Sequence, residues 1–345
     1  MLKKVLSGIA CLKRSVTPHP LHVQWFLTRR CNYKCPSCQI WKQSPCSELN
    51  TEEVKRGVDT LQSMRVVDLV FTGGNPLLRN DIGEILRYAH DKFPLVSIYD
   101  NGSLAYKKVK LLRYVDKVCI SLNTLNQKLQ DHMSGVPGAF RNAIKSIEVL
   151  KKNDVGVVAS ATISKPNLGE TYDLIKYFGE RGIPTNLSLY SEVTFTDSPI
   201  KIGVEDDFLK FPSDGEMLNF IKQLEAAEEK YPVTLDWKTT NSLKKIFTNN
   251  QRDWKCNALG SFFIVNEEGY ISGCHLKPPV CKIWELPEIW ETRKMNELRL
   301  DNKQCEKCTY LCYITYSHLR SLRSLFQYFW EYEHHALKRA SGHLK

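Results

Sequence analysis

Three cysteines spaced C-x3-C-x2-C, Cys31-Asn-Tyr-Lys-Cys35-Pro-Ser-Cys38, follow directly on an apolar run from Val23 to Leu27. Three thiolates on one short loop can hold three corners of an iron–sulfur cube and leave the fourth iron without a protein ligand. An open iron is where chemistry can happen. The competing use of such a loop is a zinc knuckle, which needs four ligands, and no fourth cysteine or histidine lies nearby at the required spacing.

A second set of thiols lies far along the chain: Cys256, Cys274, Cys281, Cys305-Glu-Lys-Cys308 and Cys312. Cys256 and Cys274 flank an expected β-hairpin, with a strand from Phe262 to Val265 and a turn at Asn266-Glu-Glu-Gly269. Two cysteines on a hairpin and a later C-x2-C make four thiolates that folding can bring together, for structural zinc or for iron–sulfur. Cys11, Cys46 and Cys119 match no site pattern and read as buried or idle thiols.

The elements that must position the first loop alternate regularly. Expected strands are Leu21 to Thr28, Val66 to Thr72, Leu95 to Tyr99, Lys117 to Leu122, Val155 to Ile163 and Thr185 to Tyr190. Between them lie helical stretches starting at Thr51 and spanning Asp81 to Lys92, Lys107 to Tyr114, Phe140 to Lys151 and Glu170 to Arg181. Thr51 reads as the first cap, with Val54 where a capping box would want Glu, so the cap is partial. This alternation argues for parallel strands with crossover helices, in an open sheet or in a full or partial barrel. The cysteine loop then falls at the C-terminal end of the first strand, where barrels carry their chemistry. The alternation stops after Tyr190. The expected division is an N-terminal amphipathic segment 1–20, a core 21–195, a linker with helices 196–253 that includes Glu216 to Lys230, a C-terminal cysteine unit 254–312, and an amphipathic helix 313–345.

At 345 residues the chain can bury a large core. Its 12 cysteines occur in a chain that carries iron–sulfur spacing, which argues against a secreted disulfide framework and for a reducing cytoplasm. The start, Met1 to Leu12, has too short and broken an apolar part for a secretion signal, and basic Lys13 and Arg14 follow it. No stretch approaches the roughly 20 apolar residues that span a bilayer. The net charge of +10 points to an anionic partner. Leu319, Leu322, Phe326 and Phe329 fall on one helical face among basic residues, and Leu2, Val5, Leu6, Ile9 and Leu12 repeat the pattern. Both ends read as caps on the core, or alternatively as a peripheral surface on anionic lipid at the cytoplasmic face of a membrane.

The cysteine loop resembles the signature of the radical S-adenosylmethionine (SAM) superfamily, with Ser37 where an aromatic residue is common. The resemblance implies a partial (β/α)6 barrel, TIM-like, whose open iron chelates SAM. One electron from the reduced cluster then gives methionine and a 5′-deoxyadenosyl radical, which abstracts hydrogen from the substrate. Phe71-Thr-Gly-Gly-Asn-Pro-Leu-Leu78 resembles the family's Gly-Gly-Glu-Pro element, which meets the SAM amino group, so Gly73, Gly74 and Asn75 are expected there, Asn75 without the usual charge. Asn101, Ser121 and Asn123 are similar to positions facing SAM ribose and carboxylate, and Asn167 to one near the adenine. Asp131-His132 and Gly135 also match a family stretch, with His132 read as a solvated helix edge.

The C-terminal cysteines resemble the Twitch and SPASM extensions of the same superfamily, which carry auxiliary [4Fe–4S] clusters. One such cluster is expected, on Cys256, Cys274, Cys305 and Cys308, with Cys281 or Cys312 as substitutes. The implied enzyme acts on a small or lipid-like metabolite, with a ribosomal peptide as the alternative substrate, and draws its electron from a flavodoxin or ferredoxin. An RNA-modifying enzyme and a non-enzymatic zinc or nucleic-acid-binding protein are the remaining alternatives. No RNA-binding motif supports a nucleic-acid partner.

Overall fold

The computed structural model describes residues 19–44, 46–190, 208–210, 213–235, 237–306 and 308–318. The amphipathic stretch Leu2 to Leu12 and the one beginning at Leu319 lie outside the described residues, as does Cys11.

Strands β1 (His22–Phe26), β2 (Asp68–Thr72), β3 (Leu95–Asp100), β4 (Lys117–Ser121), β5 (Val157–Ile163) and β6 (Thr185–Leu189) pair in parallel, each with the next in sequence. A doubly wound sheet would reverse its strand order partway, and this one does not. One residue from each of the six strands, His22, Asp68, Ser97, Cys119, Val158 and Asn186, lines a single cavity, so the sheet curls around its own interior. The barrel stays open, because β6 ends the sheet on one side. This is the expected partial barrel. Its strands are buried on both faces, as parallel strands covered by helices must be.

The crossovers carry α1 (Thr51–Ser63), α2 (Ile82–His90), α3 (Val109–Leu112), α4 (Gln127–Ser134), α5 (Ala139–Lys152) and α6 (Thr171–Gly179). The cap of α1 is Asn50, not Thr51: Glu53 N–H donates to Asn50 Oδ1 (3.0 Å) and Asn50 N–H to Glu53 Oε2 (2.8 Å), a complete capping box one residue earlier than expected. The helix expected over 107–114 shrinks to a 3-10 turn, Ala105–Lys107, and α3. Asp100 Oδ1 accepts from the Leu104 and Ala105 N–H groups and fixes the turn that precedes α3.

Further along are α7 (Asp214–Glu228), α8 (Trp237–Asn249), a hairpin of β7 (Phe262–Val265) and β8 (Tyr270–Ser272), β9 (Cys281–Lys282), α9 (Leu286–Ile289), α10 (Arg293–Gln304) and α11 (Leu311–His318). The hairpin turn falls where expected: Gly269 has φ +81° and Asn266 Oδ1 accepts from Glu268 N–H and Tyr270 N–H. β7 pairs in parallel with β1, His22 opposite Phe262, so one nine-stranded sheet runs from β6 to β9 without a break. β1 therefore lies inside the sheet, and the loop leaving it is held from both sides. Among the described residues no helix is long and apolar enough to cross a membrane.

Candidate metal centres

The loop after β1 is pinned by its own backbone and by its neighbours. Cys38 N–H donates to the Cys35 carbonyl (3.1 Å), as does Trp41 Nε1–H (3.1 Å). Tyr33 is buried, and its hydroxyl accepts from Asn142 Nδ2 on α5 (3.3 Å). Cys38 packs on Phe26, Ile40 and Ile264. At the root of the loop Arg29 pairs with Glu267 in the hairpin turn, Arg30 pairs with Glu48 (3.1 Å), and Leu49 N–H donates to the Glu267 carbonyl (2.9 Å). The hairpin and the cysteine loop thus brace each other.

The thiols of this loop fit a cluster. Burial first, then the neighbouring Cys38 and Cys31, push the Cys35 thiol up to about 12, and burial raises Cys31 and Cys38 as well. Crowded, desolvated thiols of this kind lose their protons to a metal and not to water. Among the described residues no three His, Cys, Asp or Glu side chains close on one point as a single ion requires. A cluster asks for separate corners, one thiolate per iron, and the loop offers that. Tyr33 N–H (3.5 Å) and Asn101 Nδ2–H (3.8 Å) face the Cys31 sulfur.

The residues expected around SAM gather at the same ends of the strands, but several serve the protein. Gly73 (φ +141°) and Gly74 let the loop after β2 lie against the loop after β1. Gly74 N–H donates to the Thr28 carbonyl and Asn75 N–H to the Arg30 carbonyl, each at 2.7 Å. Asn75 is fully buried, and its Nδ2 donates to Asp100 Oδ2 (2.8 Å), Asn101 Oδ1 (3.1 Å) and Asn32 Oδ1 (3.4 Å). Asp100, also buried, holds the Gly102 N–H as well, and burial raises its carboxyl above the usual range.

Asn167 is held within the protein: its Nδ2 donates to the Asn123 and Thr162 carbonyls (2.8 and 2.9 Å) and its Oδ1 accepts from Ser164 N–H (2.7 Å) and Oγ–H (3.3 Å). All its hydrogen-bonding capacity goes to joining the ends of β4 and β5. Asn123 Oδ1 accepts from Thr162 N–H (2.9 Å) at the same junction, while Ser121 stands half-buried at the end of β4. Asp131 caps the start of α5 through Gly138 N–H (2.7 Å) and Phe140 N–H (2.9 Å), and the His132 ring meets Phe208 edge-on. Asp100 is the residue sequence reasoning missed. Its signal, Asp-Asn-Gly at a strand end, reads as an ordinary turn.

The second thiol group lies on the other flank of β1. Cys256, Cys274, Cys308 and Cys312 share one apolar cluster with Trp254, Phe262 and Tyr313. Burial, then nearby Cys308, pushes Cys274 up to about 12, and Cys256 and Cys305 add to the effect. Cys256 rises to about 11, by burial and then through Cys308 and Cys305. Cys256, Cys274, Cys305 and Cys308 are thus within electrostatic reach of one another. Cys312 approaches Cys308 but also lines the barrel cavity with Tyr316. Cys281 lies on β9 opposite Ile271, with Glu285 and Lys294 as its charged neighbours, and packs on the main core and not on the apolar cluster that holds Cys256, Cys274, Cys308 and Cys312. Between the two groups runs a packed path in which Phe26, in contact with Cys38, meets His275 edge-on (5.5 Å) next to Cys274, and Tyr313 hydrogen-bonds His275.

Comparison with known proteins agrees with this geometry. The model of the radical SAM superfamily matches residues 25–178. The AdoMet-dependent heme synthase of Methanosarcina barkeri is 36% identical over 173 residues, 48% of this chain and 50% of that protein, so the chain spans about half the length of that curated relative. The sporulation killing factor maturation protein SkfB of Bacillus subtilis is 23% identical over 299 residues, 84% of this chain and 69% of that protein. Among solved structures, Streptococcus suis SuiB bound to the precursor peptide SuiA superposes with a TM-score of 0.63 at 19% identity, covering 91% of this chain and 75% of that one, a likeness of fold. Matched segment, open barrel and cysteine loop agree, and residues 25–178 are a radical SAM domain, with the 4Fe–4S cluster and SAM as the cofactors of that superfamily.

Proposed function

We propose that the chain is a radical SAM enzyme that modifies a peptide, with an auxiliary [4Fe–4S] cluster on Cys256, Cys274, Cys305 and Cys308. The observation that carries the reading is the pair of thiol groups on one sheet, three thiols in the loop leaving β1 and four on the flank that β7 adds. When bound, the first cluster and SAM supply a 5′-deoxyadenosyl radical by one-electron cleavage of a carbon–sulfur bond. Cys31, Cys35 and Cys38 hold three irons. Asn101 donates an N–H toward the Cys31 sulfur, and Asp100 and Asn75 keep that amide in place. The electron comes from a flavodoxin- or ferredoxin-like donor.

A peptide substrate is supported by SkfB, a maturation protein whose match extends over most of the chain, and by the net charge of +10, which suits an acidic partner. The heme synthase, matching over 48% of the chain, favours a second reading in which the substrate is a tetrapyrrole or another small metabolite.

Anaerobically reconstituted protein is expected to hold about eight irons and eight sulfides per chain. With a strong reductant it should release 5′-deoxyadenosine slowly from SAM. Replacing Cys31, Cys35 and Cys38 by Ala should remove about half the iron and all the nucleoside. Zinc in place of iron, or undiminished nucleoside from the triple variant, would end the reading. Stimulation of nucleoside release by peptide mixtures and not by tetrapyrroles supports the peptide; the reverse supports the small metabolite.

A further inference from the structure

Arg252 lies at the edge of the second thiol group. One of its terminal nitrogens donates to the Cys308 carbonyl (2.9 Å), and its guanidinium carbon lies 3.9 Å from the centroid of the Trp254 ring, two residues before Cys256. The stacking and the hydrogen bond fix the planar cation where a more flexible side chain would wander. Its Nε is buried without a hydrogen-bond partner, and Arg252 has no carboxylate partner among the described residues. Two other cations of this region are paired: Lys277 with Asp301, and Lys245 with Asp253 (2.7 Å). Arg252 is half-buried, and a partly desolvated cation without a carboxylate is stabilised when an anion comes to it. Four thiolates around an iron–sulfur cube make such an anion.

We infer that Arg252 is a positioning residue that raises the reduction potential of a cluster held by Cys256, Cys274, Cys305 and Cys308. Reduction adds one negative charge to an already anionic group, so a fixed cation in a poorly solvated setting stabilises the reduced state more than the oxidised one. The same charge helps the site hold its cluster. The inference rests on the auxiliary-cluster reading above.

The test uses full-length protein with Cys31, Cys35 and Cys38 replaced by Ala, so that one cluster remains. Iron content is measured first, and the potential is then followed by the paramagnetic signal of the reduced cluster. Arg252→Gln should lower the reduced-to-oxidised ratio at fixed potential at least tenfold, a shift of about 59 mV for one electron. Arg252→Lys, which keeps the charge but loses the stacking, should fall between the parent and the Gln variant. Loss of iron from the Gln variant alone also supports the inference, since charge is then what retains the cluster. Equal potentials in parent and Gln variant overturn it. So does an equal shift, or equal loss of iron, in both variants, which would mark a packing role. A parent that holds no iron at all removes the auxiliary-cluster reading itself, a different outcome from any of these.

Discussion

Gly74→Ala and Gly135→Ala should each strip the first cluster and leave the second in place. Neither glycine bears on a thiol. A Cβ on Gly74 would sit inside contact distance of the Arg30 carbonyl, and one on Gly135 (φ +64°) would do the same to the Lys34 carbonyl, the residue before Cys35. Both obstacles are backbone of the cysteine loop, which cannot swing aside as a side chain would. The loop must shift, and a shift of about 1 Å in a site of this kind costs on the order of 100-fold in rate. Iron should fall by about half. Gly182→Ala is the control, because it shares the positive φ (+66°) but meets nothing within 4 Å. If the Gly74 and Gly135 variants keep full iron and normal SAM cleavage, the close approach of these loops is not what holds the cluster.

Asn75→Glu, which restores the carboxylate common in the resembling family, should damage this protein. The Asn75 amide donates to Asp100 Oδ2 at 2.8 Å, and both residues are buried. A Glu there sets two carboxylates against each other where water cannot screen them, and one must stay protonated. The cost is about 3–5 kcal/mol, the range for a buried charge left uncompensated. Burial already raises the Asp100 carboxyl. For such a group the folded state binds the extra proton, so stability is full below the unfolded carboxylate range and falls as pH rises through the folded value. The variant should therefore unfold more readily at pH 7 than the parent, and the gap should narrow toward pH 4. Adding Asp100→Asn exchanges the partners, returns one donor and one carboxylate, and should recover most of the stability. Thermal unfolding of the four proteins across pH decides it, and additive losses in the double variant would show that the two side chains do not interact.

Much of this was legible in the sequence, for reasons that differ by residue. Cys31, Cys35 and Cys38 declare themselves because their geometry is local to one loop. The four thiols of the second group were legible as candidates, but only the pairing of β8 with β9 carries Cys281 away from them. The bonds of Asn167 to two backbone carbonyls were not legible, because an amide at a strand end has the same signature whether it serves a ligand or the backbone. Asp100 hid for the same reason. The pairing of β7 with β1 left no trace at all, since a parallel partner far along the chain imposes no local period.

That pairing also decides what can be cut out of this protein. The matched segment ends at residue 178, yet within it β1 has lost its neighbour on one side. A fragment ending there would present the backbone N–H and C=O groups of His22–Phe26 as an open edge strand, the kind that recruits other chains into aggregates. It would also release the salt link from Arg29 to Glu267. During synthesis the same edge stays bare until Phe262–Val265 has left the ribosome, so the catalytic half matures only after the half that follows it.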